Sequence, residues 1–254
     1  MKRVWRISLV LMAAAGVMAG AGGSAGAATS AAHYGRVTCS GGTVKPGTYK
    51  SLRVVGACTL TSTGTVRVKG DVTVARHGLF DAITLGTLKV GGDVIVANDG
   101  TAGIGCSPAI GCTATTSDTI GGDLTAGGAW ATIVHSTAIG GNLTIRGGGR
   151  TENCAVMAPF GAPWYSDLED NIVGGHVTVL GVHSCWFGFI RNQVTHNVTI
   201  SGTRMGDPDA NEITTNVIGG NLACFNNVPQ PQFGDSSGTP NTVAGKKLGE
   251  CKAL

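Results

Sequence analysis

The chain is short of charge and of aromatic rings: charged side chains make up 13% of its 254 residues and aromatic ones 5%. It also lacks a usable surplus of positive charge. Its formal net charge is +3, and three cations, Lys2, Arg3 and Arg6, sit in the first six residues. Without that segment, 15 basic residues face 15 acidic ones. A nucleic-acid binder needs excess Lys and Arg to displace counterions from phosphates, so nucleic acid is not an expected partner. The same balance argues against a polybasic membrane patch. No Cys-x-x-Cys pair or Cys/His cluster at zinc spacing occurs. No Gly-x-Ser-x-Gly elbow, phosphate-binding glycine loop or dinucleotide fingerprint occurs either, so no cofactor is expected.

What is present begins with a leader. Lys2, Arg3 and Arg6 precede an apolar stretch from Ile7 to Ala19, and Ala25-Gly26-Ala27 offers small residues for cleavage. This predicts a signal peptide over residues 1–27 and a secreted, extracellular mature protein. Beyond it no apolar run approaches the roughly 20 residues a membrane helix needs, so the mature chain is expected to have no membrane span. Eight cysteines follow: Cys39, Cys58, Cys106, Cys112, Cys154, Cys185, Cys224 and Cys251. An even count in an exported chain reads as disulfides. Connectivity does not follow from sequence. Sequential pairing is expected if contacts are local, and it would tie down both ends.

Glycine is abundant, at 42 residues, and much of it belongs to a repeat. The phrase is an apolar residue, a glycine-rich step, then Asp, Asn or His, then apolar-x-apolar. It reads Val68-Lys69-Gly70-Asp71-Val72-Thr73-Val74, and returns at Asp93, Asp123, Asn142, His176, Asn197 and Asn221. The spacings are 22, 30, 19, 34, 21 and 24 residues. Propeller blades need roughly 40 residues each, whereas a coil of a parallel β-helix needs about 20 or more. The expected fold is therefore all-β: a single-domain, right-handed parallel β-helix of about 7–9 coils with disulfide-tied ends. Apolar-x-apolar sends both apolar side chains to one face of a strand. Paired glycines are expected to supply positive φ at a corner, and stacked Asn residues a ladder. The expected division is a cap with irregular first coils over 28–64, regular coils over 65–224 and a C-terminal cap over 225–254. Insertions are expected at about 98–118 and 147–171.

The Gly-Gly-[Asn/Asp]-apolar-x-apolar motif, with Gly219-Gly220-Asn221-Leu222-Ala223-Cys224 and the closing Gly249-Glu250-Cys251, resembles a group of exported bacterial right-handed β-helix proteins. The likeness spans about residues 39–254. It implies the fold and says little about activity. A weaker likeness is to bactofilin-like polymer-forming solenoids, which are usually cytoplasmic and poor in cysteine.

Four sets of residues are candidates for function. Asp167, Glu169 and Asp170, placed in the second insertion, form an acidic cluster that with Arg191 suits general acid–base work on a polysaccharide. Against this stands a solvated loop whose acids cap turns. Asp207, Asp209 and Glu212 offer oxygens at spacings that suit Ca²⁺, against a polar turn between coils. Trp164, Tyr165, Trp186, Phe187 and Phe189 form, with Phe160, an aromatic group, and Cys154 and Cys185 bracket most of the same stretch. It would serve as a platform for sugar rings or a protein, or as a small core under the insertion. His176 and His196 are expected to lie close together, and His135 and His183 have no evident partners. No metal site is expected from the histidines.

These features predict a secreted structural or binding protein, a rigid rod presenting side loops to a cell-surface glycan or protein. The alternatives are a carbohydrate-active enzyme using the 160–212 face, and a solenoid that assembles with itself.

Overall fold

The computed structural model describes residues 33–254, so the leader expected at 1–27 lies outside the described residues. Within them the apolar-x-apolar pairs stack coil upon coil. Val72, Val94, Leu124, Leu143, Val177, Val198 and Leu222 stand in parallel register. Each is at most 1% exposed. Burying a side chain of this size contributes about 1.5–3 kcal/mol, so the column accounts for much of the cohesion between coils. The chain is a parallel β-solenoid.

Each regular coil contributes strands to three faces. The first face runs from Thr65–Val68 to Thr242–Val243, and the second from Val72–Val74 to Lys247–Gly249. The third runs from Gly42–Val44 to Glu212–Thr214. Strand Gly47–Val54 continues unbroken across the corner between the first two faces, which therefore form one 18-stranded sheet. The third face is a separate 8-stranded sheet.

The glycine pairs mark the corner between the first and second faces, but not for the expected reason. None of Gly91, Gly92, Gly121, Gly122, Gly140, Gly141, Gly174 or Gly175 has a positive φ. What they lack is room. A Cβ on Gly121 would lie 2.5 Å from the Gly91 carbonyl oxygen, and one on Gly122 would lie 2.0 Å from Asp93 Oδ1. That oxygen belongs to a ladder along the corner. Asp71 Oδ1 accepts from Asp93 N, Asp93 Oδ1 from Asp123 N, and Asp123 Oδ1 from Asn142 N. The series continues through Asn142, His176, Asn197 and Asn221 to Lys246 N. The second glycine of each pair leaves the volume that the preceding coil's acceptor occupies. Where His176 replaces Asp or Asn, the next coil carries Thr195-His196 in place of the pair, and the two imidazoles stack at 5.0 Å.

A second ladder lies inside the solenoid, where the third face turns into the first. Asn171 Nδ2 donates to Asn192 Oδ1, Asn192 Nδ2 to Asn216 Oδ1, and Asn216 Nδ2 to Asn241 Oδ1, at 2.8–3.0 Å. The same amides donate to the carbonyls of Val134, Leu168 and Phe189, and Asn241 donates to that of Ile213. All four asparagines are at most 3% exposed. The residue before the inward position is left-handed in four successive coils: Ser136, Asp170, Arg191 and Thr215 have φ of 48–61°.

The two long intervals are excursions, but shorter than expected. Thr101–Ile104 is a third-face strand, so the first excursion occupies 105–117. Tyr165–Glu169 is another, so the second occupies 147–164. Disulfides pair Cys39 with Cys58, Cys106 with Cys112, Cys154 with Cys185 and Cys224 with Cys251. The second closes the first excursion on itself, and the third pins the second excursion to the solenoid. Residues 225–254 extend the stack rather than merely covering it. Thr242–Val243 and Lys247–Gly249 add first- and second-face strands, and a 3₁₀ turn, Glu250–Ala253, brings Cys251 to Cys224. Among the described residues no helix is long and apolar enough to cross a membrane.

Candidate functional sites on the third face and the first coils

Alternation on the third face sends Val134 and Leu168 inward and His135, Asp167 and Glu169 outward. The register places Ile133 beside Asp167 and His135 beside Glu169. The acids are thus strand residues, not insertion residues as the sequence suggested, and they are buried although they point away from the core. Asp167 is 4% exposed, Glu169 8% and His135 0%. His135 Nε2 lies 3.1 Å from Asp167 Oδ2. Arg191, in the left-handed turn one coil on, bonds Asp170 through Nε at 2.7 Å and Nη2 at 2.9 Å, and reaches Glu169 Oε2. The four residues proposed for acid–base work therefore do converge, and His135 joins them.

This crowding moves proton affinities. Burial first, and then the charge on Asp167, push Glu169 up to about 7, although His135 and Arg191 pull it down. Burial pushes His135 down, but the charge and hydrogen bond of Asp167 more than reverse it, leaving it raised. Burial, with Asp167 and Glu169 nearby, raises Tyr165. Glu212, two coils beyond Asp167 in the same row, is pushed by burial up to about 8.

Trp186 lies between Asp167 and Glu212. A Cβ on Gly188 would fall 2.2 Å from the Trp186 ring and 2.8 Å from Asp167 Oδ1, so the indole folds across that glycine. Its Nε1 donates to Glu212 Oε1 at 3.1 Å. Tyr165 meets Trp186 edge-on at 6.2 Å, Phe160 meets Tyr165 at 5.6 Å, and Trp164 meets Phe160 at 5.8 Å. Trp164 packs with Ala131 and Ala158 in a satellite core beneath the second excursion. Phe187 and Phe189 point inward and are fully buried. Trp164, Phe187 and Phe189 thus cannot form a stacking platform, because their rings are consumed by packing. Tyr165 and Trp186 are half-buried at its edge.

The proposed Ca²⁺ residues do not assemble. Asp207 Oδ1 caps Asp209 N in an exposed turn, while Glu212 is buried against Trp186. The metal-compatible group among the described residues is instead His135, Asp167 and Glu169. Sequence reasoning left His135 without a partner, since 32 residues separate it from Asp167. His183 also has one, Glu152.

A groove of about 710 Å³ adjoins the cluster between the first excursion and the turns. Ser107, Thr116, Ser136 and Thr137 line it, with Asp170 and Arg191 on one wall.

The first coils carry a different feature. Residues 33–100 hold 8 Lys and Arg against 4 acids, and residues 101–254 hold 7 against 11. Six of those early cations, Arg36, Lys50, Arg53, Arg67, Lys69 and Lys89, lie on the first two faces and the corner between them. Arg67 and Lys89 are direct register partners. None of the six forms an ion pair among the described residues. The nearby carboxyls of Asp71 and Asp93 are occupied by corner amides. Beside Lys50 and Lys69 a groove of about 440 Å³ is lined by His33 and by Tyr34, which stacks on buried Tyr49 at 4.7 Å. Low charge overall hid this patch, because the two halves cancel.

Compared with known proteins, the chain matches no family model, no curated protein and no solved structure.

Proposed function

We propose that this chain is an exported, rigid β-solenoid that holds an anionic cell-surface glycan against the outer side of its first coils, without chemical turnover. Four disulfides fit maturation in an oxidising compartment. The observation that carries the reading is the set of six cations without ion-pair partners, two of them in direct register. Like charges set opposite each other in a sheet destabilise it, so a bound polyanion gives the arrangement its use. Tyr34, 38% exposed beside Lys50 and Lys69, adds a ring for sugar stacking.

The test is titration of the purified protein with a uronate-rich polysaccharide, a neutral polysaccharide and a duplex DNA of similar length. The acidic glycan is expected to bind, with affinity falling roughly tenfold or more between about 50 and 200 mM salt. Arg67→Glu with Lys89→Glu should abolish binding without loss of fold. Equal binding of DNA, or unchanged binding by the double variant, would sink the proposal.

A second reading, a carbohydrate-active enzyme, is favoured by the convergence of Asp167, Glu169 and Arg191 beside the 710 Å³ groove. Against it, both acids are more than nine-tenths buried. Incubation with a panel of polysaccharides decides between the two, since depolymerisation lost in Glu169→Gln belongs only to the enzyme.

A further inference from the structure

The cluster on the third face contains more than its ion pairs use. His135, Asp167 and Glu169 each offer a ligand atom, and these atoms lie within 4.8 Å of one another. Asp167 Oδ1 is buried with no hydrogen-bond partner. Buried polar groups are normally satisfied, and an orphaned one asks for an unseen water or ion. The charges do not balance either. Asp167, Glu169 and Asp170 face one permanent cation, Arg191, so the group carries two excess negative charges whenever all three carboxyls are ionised and His135 is neutral, the state in which a metal ion would be held.

We propose that His135, Asp167 and Glu169 form a site for one divalent transition-metal ion, with zinc as the first to test. One imidazole and two carboxylates are a donor set that zinc accepts with a water in the fourth position. Metal–ligand bonds of about 2.0–2.1 Å in a tetrahedron set neighbouring ligand atoms roughly 3.3 Å apart. His135 Nε2 and Asp167 Oδ2, at 3.1 Å, already stand at that separation. The ion takes the place of the proton between them. Glu169 completes the set by turning from Arg191, which keeps both of its bonds to Asp170. Asp167 Oδ1, now orphaned, gives the ion a second oxygen on the same carboxylate. The ligands sit on adjacent strands of a parallel sheet, in register, so the backbone holds their spacing. Two positive charges then neutralise the cluster, which explains how Asp167 and Glu169 tolerate burial together beside Asp170.

The full disulfide-bonded protein, stripped with a chelator and dialysed, is titrated with ZnCl₂ calorimetrically, and bound metal is counted by mass spectrometry. One ion per chain is expected. Co²⁺ in its place should show the intense visible absorption of a tetrahedral site. His135→Gln and Asp167→Asn are each expected to weaken binding by more than about 100-fold, whereas Asp209→Asn, in the exposed turn, should leave it unchanged. No stoichiometric uptake by the native protein overturns the proposal, and so does uptake that survives both cluster variants. If a variant fails to fold, X-ray absorption of the native zinc form decides. One nitrogen and two or three oxygens as ligands supports the site, and a sulfur-rich or fully aqueous shell refutes it.

Discussion

One inward column of the solenoid changes character along its length. In the early coils it is apolar, Val66 followed by Leu88, each fully buried. In the later coils the same column reads Asp118, Thr137, Asn171, Asn192, Asn216 and Asn241. Asp118 makes the junction: its Oδ1 accepts from Leu88 N, and burial pushes its carboxyl up to about 6. The apolar part coheres by exclusion of water, which tolerates sliding of one coil over the next. The asparagine part coheres by hydrogen bonds that exist in only one register. The later coils also bear the long excursions and, along this column, the left-handed turns, and the amides cap the strand carbonyls two residues ahead of Ser136, Asp170, Arg191 and Thr215. The difference teaches that the fold adds polar specificity where the backbone departs from regularity.

The sharpest way to break this contrast is Asn192→Leu, close in volume to the native side chain. It deprives Asn171 N and Nδ2 of their acceptor and the Leu168 carbonyl of the Asn192 amide, while Asn216 Oδ1 loses that amide but keeps the backbone N–H of residue 192. At about 1–3 kcal/mol for each buried group left unsatisfied, the loss should reach roughly 4 kcal/mol or more. Denaturant unfolding measures it. Leu88→Ala in the apolar part should cost about 2–5 kcal/mol through the cavity alone. A cost for Asn192→Leu below 1 kcal/mol would show the ladder to be incidental.

Next in size is Gly122→Ala at the corner, where the new methyl would meet Asp93 Oδ1 at 2.0 Å. Overpacking of this kind costs about 1–3 kcal/mol. Gly127→Ala, with nothing within 4 Å, should cost less than half as much, and equal costs would contradict the close-approach explanation.

The later coils should also respond to pH in the metal-free protein. Asp118 at about 6, Glu169 at about 7 and Glu212 at about 8 all lie above their ordinary values, and His135 is raised as well. The folded state therefore holds protons that the unfolded chain releases. Their contribution is complete below about pH 4 and is lost as pH rises through 6, 7 and 8. Melting temperature should fall over that range, and Glu212→Gln should flatten its upper part. A melting temperature that rises from pH 5 to 8 would contradict these assignments.

The smallest effect expected is in the first coils. Lys89→Gln removes like-charge repulsion with Arg67 and should stabilise the free protein by about 0.2–1 kcal/mol while weakening the acidic glycan. Destabilisation instead would mean that the pair serves the fold rather than a ligand.

Much of the architecture was legible. Seven phrases at coil spacing imply stacked strands, and the apolar residues they mark are the buried columns. The inner ladder was also written in the chain, as an Asn two residues before the apolar residue that opens a phrase: Asn171-Ile172-Val173, Asn192-Gln193-Val194, Asn216-Val217-Ile218 and Asn241-Thr242-Val243. A single Asn per coil fits an exposed turn equally well, so the pattern alone does not mark it as inward. The third-face cluster was legible only in part. Asp167, Glu169, Asp170 and Arg191 stood out as charges, whereas His135 carried no signal of its own.

Strand identity, inward side chains and coil length follow from sequence because they depend on residues close together in the chain, through alternation and repeat spacing. Which outward residues become buried was decided by tertiary structure. The pairing of His135 with Asp167, and the folding of Trp186 across Gly188 beside Asp167, depend on how one coil registers on the next. The reason is physical: local pattern sets the direction of a side chain, but its dielectric surroundings are set by neighbours that arrive from a full turn of the solenoid away.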